Sequence, residues 1–255
     1  MQDKFDIYDL LGYIIPGALA LGLLYWFSTG FLALTWPLEL NSLGESLVLI
    51  VVGYFFGQIV QAVGHKLSRR YIEKWGGYFS QQFVHPDNTT FSAEFKKQVQ
   101  QCAEEAFGIP YAPPDANEKI QVAQRQEIYQ LCYTLVMAEK LGQRAQLFIG
   151  TYGLYRGLIV VGWMGVAVSA AIALKQITIC LLLARNVSAP YLGLPGDRFW
   201  GYDELQLFLG VVALPFFALA IPLLKERLKT FAEHYAAEVY RTFYVWCQTK
   251  RRSTP

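Results

Sequence analysis

Four stretches of this chain stay apolar for about 20 residues each, the length an α-helix needs to cross roughly 30 Å of hydrocarbon. They are Ile7–Leu34, Leu47–Gly64, Leu147–Leu174 and Leu205–Leu224, and each is nearly free of charge. A composition of 54% hydrophobic and 15% aromatic residues against 16% charged is too apolar for one or two ordinary soluble domains, so part of the surface must face lipid. The mean hydropathy of +0.26 is modest for a pure membrane bundle, and a polar segment must dilute the spans.

That segment lies between the second and third spans. Basic residues in short flanks mark the cytosolic side. They are His65, Lys66, Arg69 and Arg70 after the second span, Lys140 and Arg144 before the third, and Lys225, Arg227 and Lys229 after the fourth. The loop Thr35–Glu45 carries Glu39 and Glu45 and no base, which places it outside and both termini in the cytosol. The opening residues hold Asp3, Asp6 and Asp9 against Lys4 alone, with no small-residue cleavage site after the apolar run, so no secretory signal is expected. Between spans three and four, Ile177–Ala184 is too short to cross and extends the third helix or lies along the interface. Tyr191, Phe199, Trp200 and Tyr202 are expected at the outer headgroups, and Lys175 is expected to reach outward to them.

The expected fold class is all-α, a polytopic membrane protein in four parts: a hairpin of spans over 1–64, a cytosolic helical insert over 65–145, a second hairpin over 146–224 and a cytosolic C-terminal part over 225–255. Within the insert, the second helix continues to the Gly76-Gly77 breaker. A further helix starts at the Ser92 cap and ends at Phe107 before Gly108, with Phe95, Val99, Cys102 and Ala106 on one face. After the proline-rich connector 110–115, Asp115 caps another helix with Glu118 in the capping-box position, and Ile120, Ile128, Leu131, Leu135 and Val136 form its apolar side. The stripe Leu228, Phe231, Tyr235, Val239 and Phe243 makes the C-terminal segment amphipathic, and it should pack on the insert. The basic tail Lys250-Arg251-Arg252 is expected near anionic lipid. Nothing alternates with period two over a useful length.

Several residues invite a functional reading. Gly53 and Gly57 have the small-xxx-small spacing that lets helix backbones approach, within one chain or between two. Gln58, Gln61 and His65 form a polar stripe on the second span, which either lines an aqueous path or hydrogen-bonds to neighbouring helices. Asp9 and Arg156 sit at similar depth in spans one and three, where Asp9 or Asp6 could neutralise Arg156, unless Arg156 snorkels to lipid phosphate. Pro16-Gly17, Pro215 and Pro222 permit kinks.

Other chemistry finds no support. A net charge of +2 without a concentrated basic stripe argues against nucleic acid as a partner. Cys102, Cys132, Cys180 and Cys247 are far apart and read as free thiols; no cysteine or histidine spacing suits a metal. No Walker loop, GxSxG elbow or HExxH is present, so no catalytic residue, cofactor or enzyme activity is assigned.

Two motifs carry a resemblance: Phe5-Asp6-Ile-Tyr8-Asp9-Leu-Leu-Gly12-Tyr13-Ile-Ile-Pro16-Gly17 and Tyr152-Gly-Leu-Tyr155-Arg156-Gly157-Leu158. With this layout the chain resembles uncharacterised bacterial four-helix membrane proteins with a cytosolic insert, which are similar in layout to membrane effectors of antiviral defence systems. The resemblance implies a multi-pass protein of the bacterial cytoplasmic (inner) membrane, in contact with membrane lipid, that forms a homo-oligomer. Its insert would receive a small signalling ligand or a soluble protein partner, and its spans would act as an effector or pore with Gln58 and Gln61 facing the shared axis. The alternative is a non-conducting membrane anchor or scaffold whose insert recruits a soluble partner. A small transporter is disfavoured by the shortage of polar groups in the spans.

Overall fold

A computed structural model describes residues 9–32, 34, 43–85, 87–110, 117–184 and 204–253. The described residues contain helices and no strand. Asp6, most of Thr35–Glu45, Asp115, and the interfacial aromatics Tyr191, Phe199, Trp200 and Tyr202 lie outside them.

A π-helical stretch, Leu10–Ile14, leads into α1 (Ile15–Gly30). α2 (Leu43–Lys74) follows, then the single turn α3 (Phe79–Gln82), α4 (Ala93–Phe107), α5 (Glu118–Ala138), α6 (Gln143–Ala184) and α7 (Glu204–Ser253). Four helical stretches are long and apolar enough to cross a membrane: Leu10–Gly30, Ser46–Gln82, Gln143–Leu182 and Glu204–Arg252. Ile177–Ala184 extends α6. Pro215 and Pro222 lie inside α7, which runs on through both.

The helix boundaries follow from local chemistry. Gly76 and Gly77 adopt φ of +83° and +105°, values that Cβ-bearing residues rarely reach, and α2 ends just before them. Ser92 Oγ accepts from the Phe95 N–H at 3.1 Å, and Gly108 closes the far end of α4 at φ +67°, a left-handed C-terminal residue. At the start of α5, Asn117 Oδ1 accepts from the Lys119 N–H at 3.0 Å and supplies the cap expected of Asp115. Beyond α5, Lys140 takes φ +57°.

The chain divides into two compact units, with the boundaries falling inside α2, α6 and α7. The first comprises residues 1–65 and 153–227. Its core is Ala20, Leu23, Val60, Val160 and Val161, with Trp26, Met164 and Phe217 packed against it. Trp26 Nε1 donates to Gln206 Oε1 at 3.0 Å. Lys175 Nζ turns to the C-terminal end of α1 and donates to the carbonyls of Gly30 at 3.2 Å and Phe31 at 2.7 Å. A cation there satisfies orphan carbonyls and complements the helix dipole.

The second unit comprises residues 66–152 and 228–255. Here α7 supplies Val239, Tyr240 and Phe243, all fully buried, to a core that also holds Phe83, Val99, Cys102, Ile128, Cys132 and Val136. Aromatic pairs bind the layers: Phe107 stacks on Phe243 with centroids 5.5 Å apart, and Tyr129 meets Tyr240 edge-on at 5.4 Å. Two details differ from the expected faces. Ala103 rather than Ala106 completes the buried side of α4, and Ile120 is exposed at the start of α5. Arg251 in the basic tail donates to Glu105 through Nε at 3.0 Å and Nη2 at 2.7 Å, and Lys250 lies over the Trp246 ring.

Candidate functional site

The most constrained polar arrangement in the first unit centres on Gln61. Gln61 is 5% exposed, and both of its amide hydrogens and its oxygen are engaged. Nε2 donates to the Gly12 carbonyl and, at 2.8 Å, to the Gly153 carbonyl. Oε1 accepts from Arg156 Nε at 2.8 Å. One amide thus joins the π-helical stretch, α2 and α6.

Local sequence explains why Gly12 needs such a partner. In an α-helix the Gly12 carbonyl would accept from the N–H four residues on, and that residue is Pro16, which has none. The π-helical winding of Leu10–Ile14 occurs at this break, as such insertions often do at special sites.

Glycines make the approach possible. A methyl group added at Gly17 would overlap the Gly53 carbonyl, and one at Gly57 would overlap the Tyr13 carbonyl. At Gly157 it would lie 2.7 Å from Pro16 Cβ and 3.0 Å from Gln61 Nε2; at Gly64 it would lie 3.0 Å from Arg156 Cγ. Gly53 and Gly57 therefore face α1 and the π-helical stretch of the same chain.

The predicted stripe divides. Gln61 is enclosed, whereas Gln58 and His65 are exposed on the surface of the single chain. The Gln58 amide has no hydrogen-bond partner among the described residues. Gln61 is bonded to three groups of its own chain, which is the interhelical alternative of the two readings of the stripe. Asp9, half-buried, precedes the π-helical stretch and belongs to the same unit as Arg156.

Sequence reasoning missed Gly12, Pro16, Gly17, Gly64, Gly153 and Gly157 as parts of this junction. A signal was present: Gly153 and Gly157 repeat the four-residue spacing of Gly53 and Gly57, and Gly64 follows Gly57 by two turns.

The second unit holds an apolar cavity of about 210 Å³ bordered by Trp75, Tyr78, Phe79, Tyr129, Tyr152 and Tyr235. Burial, with Tyr235 beside it, holds the Tyr129 phenol neutral by pushing its ionisation well above the ordinary range. Among the described residues no group of three His, Cys, Asp or Glu side chains is placed to hold a metal ion. No protein-family model, curated protein or solved structure matches this chain.

Proposed function

We propose that the protein is a homo-oligomeric effector of the bacterial inner membrane, with the spans as output and the second unit as a cytosolic input. The observation that carries this reading is Gln58. An amide exposed among Phe55, Ile59 and Val63, which are 63%, 60% and 48% exposed, would cost several kcal/mol in hydrocarbon without a partner. A second copy, or a water column enclosed by several copies, supplies that partner. The fourth apolar helix agrees with this, since only 11% of its most apolar window is buried by its own chain, against 56% in the third. In this arrangement Gln58 alone of the glutamine pair faces the shared path, and both termini are cytosolic. Asp9 is proposed to share the Arg156 guanidinium with Gln61. The layout resemblance adds antiviral defence as the setting.

The test is the membrane potential of cells expressing the chain, with and without phage infection. Depolarisation that Gln58→Leu weakens supports the effector; a potential held under every condition contradicts it.

One observation favours the alternative of a non-conducting anchor. Gln61 and the Arg156 Nε hydrogen are satisfied inside a single chain, so the junction needs no second copy. A soluble partner recovered through residues 66–152, with no depolarisation, selects that reading.

A further inference from the structure

The second unit holds a buried cation that makes no ion pair among the described residues. Arg125 on α5 is 8% exposed, and its Nε is shut off from solvent with no hydrogen-bond partner. Among the described residues its guanidinium has neither an acceptor nor an ion-pair carboxylate. An arginine cannot shed its charge by losing a proton. Leaving its Nε buried and unpaired is unfavourable, and a well-placed anion offsets this.

The surroundings form a built cleft rather than a closed core. Glu118, Val122 and Arg125 follow one another at helical spacing on α5 and form one wall. The other wall is formed by Gly76, Gln81, Gln82, His85, Asp87 and Asn88, and the space between is about 330 Å³. This second wall is fixed. Gln82 Nε2 donates to the Trp75 and Gly77 carbonyls at 3.0 and 2.8 Å. Lys96, 7% exposed, donates through Nζ to the carbonyls of His85 and Asn88. The Asp87 N–H donates to His85 Nδ1 at 3.2 Å, and Asp87 Oδ2 lies 3.6 Å from the same ring nitrogen.

We propose that this cleft binds a small oxyanion, a phosphate monoester or a carboxylate, with the Arg125 fork as its main contact. The planar guanidinium matches two oxygens of either group. Two carboxylates, Glu118 and Asp87, also line the cleft, and they restrict the ligand to one that concentrates its charge at the Arg125 end. The regulatory meaning of the site rests on the second unit being the input; binding itself does not.

The experiment therefore reads binding alone. The thermal midpoint of the full chain in detergent is followed against inorganic phosphate and, separately, acetate, each against chloride at equal ionic strength. At saturation one of the two anions raises the midpoint by about 2–4 °C. Arg125→Met abolishes the rise, and without anion it melts at or above the wild-type temperature because the lone charge is gone. Should Arg125→Met not fold, Arg125→Lys keeps the charge without the fork and is expected to weaken binding about tenfold. Glu118→Gln removes a repelling carboxylate and tightens binding several-fold. No anion-specific rise in the wild type, or an equal rise in Arg125→Met, overturns the proposal. Either result leaves the effector reading to its own test in cells.

Discussion

At the scale of single residues, the Gln61 junction makes its components interdependent. Gln61→Leu leaves the Gly12 carbonyl and the Arg156 Nε hydrogen without their partner, at a cost of about 1–3 kcal/mol. Pro16→Ala returns to Gly12 the N–H that an α-helix would supply, so Gln61→Leu is expected to cost less in that background. A double-mutant cycle of unfolding in detergent measures this coupling; strict additivity would show that Pro16 is not the reason Gln61 is needed. The glycines separate by sign. Gly57→Ala forces a methyl group onto the Tyr13 backbone and destabilises by about 1–3 kcal/mol. Gly22 has no atom within 4 Å of an added methyl group, and Gly22→Ala on the same helical hairpin stabilises by about 0.5–1 kcal/mol. Equal effects of the two substitutions, read from the same unfolding curves, would rule out close packing at Gly57.

At the scale of elements, α7 brings Val239, Tyr240, Phe243 and Cys247 into the core of the second unit beside Cys102 and Cys132. Burial, and then the neighbouring Cys102, push the Cys247 thiol up to about 12, and burial pushes Cys132 upward as well. Both thiols bind their protons more tightly folded than unfolded. The resulting stability is complete below the unfolded thiol value of about 8.5 and is lost as pH rises toward about 12. Melting midpoints at pH 7, 9 and 11 should fall across the last interval; a midpoint unchanged to pH 11 would contradict this burial. Of the four free cysteines only Cys180 is exposed, so a membrane-permeant maleimide should label one thiol quickly in the folded protein and all four after unfolding.

The same elements show what was readable in the sequence. Breakers and caps located the ends of α2 and α4, because glycine at positive φ and serine before a helix act through their immediate neighbours. The stripe on α7 was readable because helical spacing places Leu228, Val239 and Phe243 on one face, and all three are fully buried. The Gln61 junction was not. It depends on three segments meeting at a helix crossing, and the stripe that placed Gln61 with Gln58 and His65 follows spacing along one helix only. The acceptors of Lys175 were not readable for the same reason, since they lie more than 140 residues away in sequence. Arg125 lies among helix-forming residues, and its lack of a hydrogen-bond or ion-pair partner among the described residues becomes visible only once the cleft has formed.

At the scale of the whole molecule, the chain combines four helices apolar enough to cross a membrane with a second unit built on an aromatic-rich core. The effector reading assigns output to the first and input to the second. Its central claim is that several copies assemble around the face of α2 that carries Gln58. The most direct test is a particle image of the full chain extracted with native lipid, from which the subunit number and the direction of Gln58 are read. The account predicts a closed ring of several copies with Gln58 turned toward the common axis; single four-helix particles with Gln58 facing lipid would contradict it.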